Sequence, residues 1–352
     1  MFNPTASKRY HPRLAVATRA LLKNLCENPD NLYGHIRHQA ASVILSIAYG
    51  IEILPENDPH VSLAEEAVRL ITAAVLPGAN LVENIPLLRY VPEWFPGWKR
   101  RAREAGRVTT AMIVKPFETA TAGIATGTMF QAGADTTVST LHTFFLAMMA
   151  NPEAQKKAQE EIDRVIPAGH LPDLSDYDSL PYVSAIVKET FRWQPALPIC
   201  VPHRSDKEDV YRGYRIPAGS VVLANIWYII SAMLHDESVY PEPFSFKPER
   251  FLTPDGKLNP NVQDPTCAFF GFGKRICPGR HMAQASVWNV MSSVLAVFNI
   301  EKPVRNPDGS VIEPTYEYLP GFICHPAPFQ CSIRPRSKEA ERLIKDLSMS
   351  DD

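Results

Sequence analysis

The sequence lacks the marks of several common protein classes. No run of about 18 apolar residues occurs that could span a bilayer, and residues 1–4 lack the apolar core of a secretory signal. The six cysteines, at positions 26, 200, 267, 277, 324 and 331, form no C-x-x-C pair, which argues against a zinc site and a disulfide framework. The formal net charge of −2 argues against nucleic acid as a partner. We therefore expect small-molecule chemistry in a reducing compartment.

What the sequence does contain is a large apolar fraction interrupted by proline. With 352 residues and 45% hydrophobic side chains, the chain has ample material for a packed core. Apolar residues recur at helical spacing, which predicts helices over about 12–27, 32–50, 63–74, 119–149, 152–165 and 179–193, and others from 98 and from 281 onward. Strand-like runs occupy 210–216 and 220–226, with a turn at 217–219 between them, and also 315–318 and 329–333. We predict a mainly α-helical single domain with a small β region.

Residues 270–279 (FGFGKRICPG) place three glycines around one cysteine. Glycine allows the backbone to turn with positive φ or to approach a flat ligand closely. Because a helix is predicted from His281, Cys277 lies at a helix N-terminus, which is expected to lower the pKa of its thiol and favour the thiolate. Such a loop suits an axial haem ligand. The alternative for a lone cysteine is a small buried apolar residue.

A second unusual stretch interrupts the predicted helix over 119–149. Residues 132–137 (AGADTT) are small and polar in mid-helix, where glycine costs up to about 1 kcal/mol relative to alanine. A threonine there can bond the preceding turn and bend the helix. We expect another group to lie against this weakened turn; a slightly kinked core helix is the alternative.

Two charged segments lie between these landmarks. Glu189 and Arg192 share one face of a predicted helix, and such a pair adds only about 0.2–0.5 kcal/mol on a solvated surface. Alone, an E-x-x-R pattern indicates nothing. It is followed by residues 248–251 (PERF), which contain Arg250.

In their order along the chain, the four segments at 132–137, 189–192, 248–251 and 270–279 resemble those of the cytochrome P-450 family, the haem-thiolate monooxygenases. The pattern F-x-x-G-x-R-x-C-x-G over 270–279 matches the haem-ligand signature of that family. Residues 90–97 (YVPEWFPG) are similar to fungal members from secondary metabolism. The resemblance covers nearly the whole chain and implies the P-450 fold without its N-terminal part.

The resemblance implies a role for each candidate site residue. Cys277 would be the axial ligand of the haem iron, and the cofactor-binding residues would be Arg275, His203, Phe270, Gly271 and Gly279, with Arg275 and His203 meeting the propionates. Thr136 would steady dioxygen, and Asp135 would relay protons to it. Glu189, Arg192 and Arg250 would form a buried structural charge triad. The substrate pocket would include Leu197, Ile199, Val201 and Phe322.

The resemblance also implies the reaction. Haem b would insert one oxygen atom of dioxygen into a small apolar organic substrate, with electrons from NADPH delivered by a separate flavoprotein, the NADPH-cytochrome reductase. Members lie at the cytosolic face of the endoplasmic-reticulum membrane. Because we expect no N-terminal membrane anchor in this chain, a cytoplasmic location is the alternative.

Three departures from the family pattern keep other functions open. The front end of the family is missing, the chain is shortened near 115–125, and residues 228–231 look like an insertion. An inactive remnant that does not retain haem is therefore an alternative to the enzyme. A peroxide-using haem-thiolate oxygenase or an isomerase is a further alternative, which the intact Asp135 and Thr136 make less favourable.

Overall fold

Helices make up most of the secondary structure in the computed structural model of this chain, which describes residues 3–51, 53–54, 58–75, 82, 85–92, 97–119, 125–197, 202–222, 232–303 and 311–349. The α-helices are α1 (Pro4–Ser7), α2 (His11–Glu27), α3 (Leu32–Ala48), α4 (Pro59–Val75), α5 (Trp98–Thr119), α6 (Ala125–Ala150), α7 (Pro152–Val165), α8 (Pro181–Trp193), α9 (Thr266–Phe269), α10 (Arg280–Val297) and α11 (Lys338–Met349). The strands are β1 (His203–Arg204), β2 (Asp209–Tyr211), β3 (Tyr214–Ile216), β4 (Val221–Val222), β5 (Phe298–Glu301), β6 (Tyr318–Leu319), β7 (His325–Pro326) and β8 (Ser332–Pro335). The expected fold class, mainly α with a small β region, is confirmed.

The predicted helices lie close to the observed ones, with two differences. The amphipathic helix α11 was not predicted, and α6 begins at Ala125, later than the predicted start near 119. Asn151 does precede α7, but its side chain donates to the carbonyl of Ala147 at 2.8 Å and does not cap the new helix. Within the described ranges, no helix is long and apolar enough to cross a membrane.

The predicted hairpin between 210–216 and 220–226 is wrong in its pairing. The first run is itself a hairpin: β2 pairs with β3, and Val210 lies opposite Arg215. The turn between them uses Arg212 and Gly213 at φ of 49° and 84°, and two positive φ values are typical of a tight hairpin turn. The second run supplies β4, which pairs with β1 upstream. An arginine in the left-handed region gives no turn signal in the sequence, so the turn was missed.

Helix α6 is the centre of the core, and its two halves differ. Every residue from 138 to 149 is buried, because α8, α10 and β5 pack around this half. Two of its hydroxyl groups have hydrogen-bond partners there. Thr140 donates to the carbonyl of Thr136 at 3.0 Å, and Thr143 accepts a hydrogen bond from the hydroxyl of Tyr318 at 3.0 Å. Residues 132–137, by contrast, are mostly only half-buried. The small polar turn therefore lies where the packing of α6 opens.

A buried ion triad connects α8 to the proline-rich segment that follows the β hairpins. Glu189 and Arg192 are fully buried. The Nε of Arg192 lies 2.7 Å from Oε2 of Glu189, and the Nε of Arg250 lies 3.1 Å from the same oxygen. The backbone N–H of Lys247 donates to Oε1 at 2.7 Å. The carboxylate is thus surrounded by donors, as a buried charge requires.

The two guanidinium groups also hold backbone carbonyls of the irregular segment. Arg192 donates to the carbonyl of Leu234 at 2.9 Å, and Arg250 donates to that of Pro241 at 2.7 Å. Both reach the carbonyl of Ser245, at 3.3 and 3.2 Å. A segment with little regular structure cannot satisfy these carbonyls itself, so the triad fixes its path.

We expect Glu189→Ala to lower the free energy of unfolding by about 3–5 kcal/mol, because it leaves two guanidinium groups buried without their counter-ion. Urea denaturation measures this change. Glu66→Ala is the matched control, since Glu66 forms the same i,i+3 pair with Arg69 (2.6 Å) on the exposed face of α4. The control variant should have the same urea midpoint as the wild type within error. Similar losses of unfolding free energy in the two variants would contradict the structural role of the triad.

Candidate functional site

The glycine-rich loop before α10 turns through conformations that favour glycine. Gly271 and Gly273 have φ of 76° and 60°, in the left-handed region that side chains rarely adopt. A Cβ on either would meet no described atom within 4 Å, so backbone strain, and not crowding, explains the choice of glycine. The N–H of Cys277 donates to the carbonyl of Phe270 at 2.8 Å and closes the loop.

Cys277 lies just before the first residue of α10, as predicted, but the expected lowering of its pKa is wrong for the polypeptide by itself. Burial raises the pKa of the Cys277 thiol, and the N–H of Gly279 and the charge of Arg280 only partly oppose this effect. The thiol is half-buried against the main core. Burial therefore outweighs the favourable contributions at the start of the helix, and the thiol by itself favours its neutral form.

Aromatic contacts join the loop to the helix that carries the triad. The buried ring of Phe270 lies 5.7 Å from the ring of Phe191, with an edge-on geometry, and Phe269 lies 4.5 Å from Phe191. Phe191 is adjacent in sequence to Arg192. Helix α8 therefore positions both the proline-rich segment, through its charges, and the cysteine loop, through its aromatic ring.

Arg275 and His203 are the cations that the sequence assigned to the propionates. Arg275 ends the turn of 3-10 helix Gly273–Arg275 in the cysteine loop, and His203 lies on β1, opposite Val222. Both are exposed. Neither side chain forms an ion pair or hydrogen bond with another residue that the structure describes, so both remain available for an anionic ligand, and their role stays a prediction.

Asp135 and Thr136 lie at the point where α6 opens. Thr136 Oγ1 donates to the carbonyl of Ala132 at 2.9 Å, which leaves its lone pairs able to accept a hydrogen bond. A Cβ on Gly133 would lie 2.7 Å from Cδ1 of Ile44. A larger residue here would require the end of the Ile44 side chain to shift, and Ile44 is one group that lies against the weakened turn.

A polar cluster around Asp135 was not found by sequence reasoning. Arg37 Nη2 of α3 lies 3.5 Å from Asp135 Oδ1, and His325 Nε2 of β7 lies 3.2 Å from Oδ2. The ring of Tyr33 stacks on that of His142 with centroids 4.4 Å apart, and the guanidinium carbon of Arg37 lies 4.4 Å above Tyr33. These residues come from distant parts of the chain, and no local motif marks them.

Two predicted substrate-pocket segments meet at α6. Leu197 and Phe322 are both half-buried. The N–H of Cys324 donates to the carbonyl of Ala196 at 2.8 Å, which joins the two segments, and Ser139 of α6 donates to the carbonyl of Cys324. The segments are thus fixed one helical turn after Asp135. Ile199 and Val201 lie outside the described residues.

The cysteine loop fits the requirements of a haem. The porphyrin supplies four nitrogen ligands, and the protein has to supply an axial ligand. Cys277 is one soft donor, and no group of three or more His, Cys, Asp or Glu side chains within the described ranges could hold a metal ion without such a ring. The space beside Gly271 and Gly273 is open to a flat group.

We expect the buried His142 to make stability depend on pH. Burial, followed by the nearby His325 and Arg37, lowers the pKa of His142 to about 3. Below the ordinary pKa of about 6.5, His142 binds a proton in the unfolded chain but not in the folded chain. The free energy of unfolding therefore decreases as the pH is lowered, by up to about 1.4 kcal/mol per pH unit.

His142→Gln removes this contribution. In urea denaturation between about pH 7 and pH 5, the wild type should lose more free energy of unfolding than the variant, because only the wild type contains the buried imidazole. Equal pH slopes for the two proteins would contradict the assignment.

Comparison with known proteins identifies the family. The sequence model of the family described as Cytochrome P450 matches residues 115–333. Cytochrome P450 monooxygenase ple1 from Rhodocybe pseudopiperita is 41% identical over 98% of this chain and 71% of its own length. Cytochrome P450 monooxygenase 98 from Postia placenta is 39% identical over 98% and 72%, and tryptamine 4-monooxygenase from Psilocybe cyanescens is 39% identical over 94% and 71%.

These matches agree with the glycine-rich cysteine loop, the helical core and the order of the four motifs. Family membership implies an oxidoreductase that uses haem, takes electrons from a redox partner and acts on an organic substrate. The chain belongs to the cytochrome P450 family of monooxygenases.

Proposed function

We propose that this chain inserts one oxygen atom of dioxygen into a small apolar organic substrate of fungal secondary metabolism, with haem b as cofactor. The observation that carries the proposal is the single thiol of Cys277, held in a loop that turns at two left-handed glycines directly before α10. The naming of the similar fungal proteins as monooxygenases supports it.

In this proposal Cys277 binds the iron, and Arg275 and His203 bind the two propionates. Bound there, haem supplies the oxidising chemistry, and thiolate ligation favours cleavage of the O–O bond. Phe270, Gly271 and Gly279 shape the loop around the thiol. The exposed Arg275 and His203 have no carboxylate partner within the described residues, which suits a role toward an external anion.

Asp135 and Thr136 have the proton-handling role. The Thr136 hydroxyl donates to the helix and can accept from a neighbouring group, so it can hold a proton-bearing molecule in place. Asp135 is buried beside it and lies near the guanidinium group of Arg37 and the imidazole ring of His325. A buried carboxylate that can exchange protons next to a hydroxyl is the arrangement that general acid catalysis needs.

The proposed substrate is apolar and is positioned by shape. Leu197 and Phe322, with Ile199 and Val201 in the same segments, offer apolar side chains to it. Tryptamine 4-monooxygenase is named for an amine with an aromatic ring, and ring-containing substrates are compatible with such a lining.

We further propose that electrons come from NADPH through a flavoprotein reductase and that the protein works at the cytosolic face of the endoplasmic-reticulum membrane. Both are family properties carried to this chain. The electron source is tested by comparing NADPH-driven turnover with and without such a reductase. The location is tested by cell fractionation with a marker of the endoplasmic reticulum.

The cysteine is tested by spectroscopy. After expression with added haemin, the chain should give the thiolate-type Soret band of a reduced carbon monoxide complex, and Cys277→Ala should lose that band, because no other thiolate is presented by the loop. Cys267→Ala is the matched control: Cys267 is an exposed free cysteine shortly before the loop, and its removal should leave the band unchanged.

Two outcomes would contradict the proposal. Absence of the thiolate-type band from the wild type would favour the inactive remnant. Substrate turnover driven by peroxide but not by NADPH and reductase would favour the peroxide-using class.

A further inference from the structure

A cavity beside α8 lies outside every site assigned above. It has a volume of about 420 Å³, and its walls come from Lys188 of α8, from Phe251 and from residues 258–264, the loop that leads into α9. No residue assigned to haem, dioxygen or substrate lines it. Small-molecule sites in proteins have volumes of about 300–1,000 Å³, so this cavity has the size for a small organic ligand.

The inner wall of the cavity is apolar. Phe251 is only 2% exposed, and the half-buried Leu258 and Val262 pack against the same small core cluster. Leu258 forms an antiparallel bridge with Leu252, and the N–H of Asn259 donates to the carbonyl of Phe251 at 2.8 Å. Core packing and backbone hydrogen bonds therefore hold a wall against which a hydrocarbon body can lie.

The rim of the cavity carries more free donors than free acceptors. Oδ1 of Asn259 accepts the N–H of Asn261 at 3.0 Å, and its NH2 group has no partner among the described residues. The amide of Asn261 is exposed and also has no partner there. Each NH2 group has two N–H donors, whereas only the oxygen of Asn261 is a free amide acceptor. A ligand oxygen that accepts several hydrogen bonds matches this surplus.

Lys188 adds a charged donor to the same rim. Its side chain is 19% exposed, and its ammonium group donates to Oδ2 of Asp264. The other oxygen of Asp264 accepts the N–H and the hydroxyl of Thr266, at 2.9 and 2.6 Å. Burial opposes ionisation of Asp264, but the hydrogen bonds from Lys188 and Thr266 lower its pKa overall. Asp264 is thus satisfied within the protein, whereas an ammonium group has three N–H donors and Lys188 can still donate to an anion.

We propose that this cavity binds a small carboxylic acid, as its carboxylate, whose apolar ring or chain lies against Phe251, Leu258 and Val262. The carboxylate accepts hydrogen bonds from Lys188 and Asn261, and such charge-assisted bonds are stronger than neutral ones. Binding changes no covalent bond. The site goes beyond the proposed monooxygenase function and does not depend on it, because the residues assigned to that function lie elsewhere.

The test uses 3-phenylpropanoate and 3-phenylpropan-1-amine, two probes with the same ring and chain but opposite charge. Saturation-transfer NMR titrations of the full chain, with haem bound and without it, measure the dissociation constants. The carboxylate should bind with a dissociation constant of about 1 mM. It should bind about tenfold more tightly than the amine, since a hydrogen bond to a charged group contributes about that much. Equal affinity with and without haem is expected; an affinity that haem abolishes would place the probe in the haem pocket and overturn the proposal.

Two variants test the donors. Asn261→Ala removes an exposed amide without a partner, so the fold is retained, and binding of the carboxylate should weaken about fivefold. Lys188→Met keeps the apolar stem and should remove the preference for the carboxylate over the amine. Lys156→Met, at an exposed position of α7, is the matched control and should leave both affinities unchanged. Unchanged affinities in Asn261→Ala and Lys188→Met would overturn the proposal.

The apolar wall is tested by Val262→Trp, whose side chain fills the space that the ring of the probe needs. Binding of 3-phenylpropanoate should be lost, whereas Val222→Trp, at an exposed position of β4, should bind it as the wild type does. A folded Val262→Trp chain with wild-type affinity would place the probe elsewhere and overturn the proposal. Failure of this site is distinguishable from failure of the proposed function, because the Soret band tests the function and the probe titration without haem tests the site.

Discussion

The buried carboxylate of Glu189 is the interaction on which the site depends. It lies between two guanidinium groups that also donate to the carbonyls of Leu234, Pro241 and Ser245, in a segment with little regular secondary structure. The same helix presents Phe191 to Phe270 of the cysteine loop. One buried charge on α8 therefore determines where an irregular chain runs, and that chain carries the thiol. Replacing an ion triad by apolar side chains can preserve stability, but it would not specify this path.

Helix α6 shows how one element serves both core and chemistry. Its second half is buried, and the hydroxyls of Ser139, Thr140 and Thr143 each have a hydrogen-bond partner, whereas Nε2 of His142 has none among the described residues. The small polar turn at residues 132–137 packs against α3, where a Cβ on Gly133 would lie 2.7 Å from Cδ1 of Ile44. The same helix, α3, brings Arg37 to within 3.5 Å of Asp135.

The family assignment and the geometry support the same chemistry from different directions. Relatives about 40% identical over nearly the whole chain are named monooxygenases, which identifies the reaction class. The structure contributes the reasons for individual residues: left-handed φ at Gly271 and Gly273, an N–H from Gly279 toward the thiol, and exposed side chains at Arg275 and His203 that have no carboxylate partner among the described residues. Burial also opposes ionisation of the Cys277 thiol, more strongly than the N–H of Gly279 and the charge of Arg280 favour it.

Local patterns determined much of this protein. Helical periodicity placed α2, α3, α8 and α10 within about two residues, and the spacing around Cys277 identified the loop, because both signals reside in neighbouring residues. The hairpin turn at Arg212 was not predicted because arginine is not a typical residue for the left-handed conformation that it adopts there. The contacts of Asp135 could not be predicted from the sequence for a different reason. Arg37, His142 and His325 come together only after α3, α6 and β7 have packed. Periodicity and motif spacing are properties of the sequence, whereas the burial of Asp135 and its contacts with residues from distant parts of the chain arise only from tertiary structure.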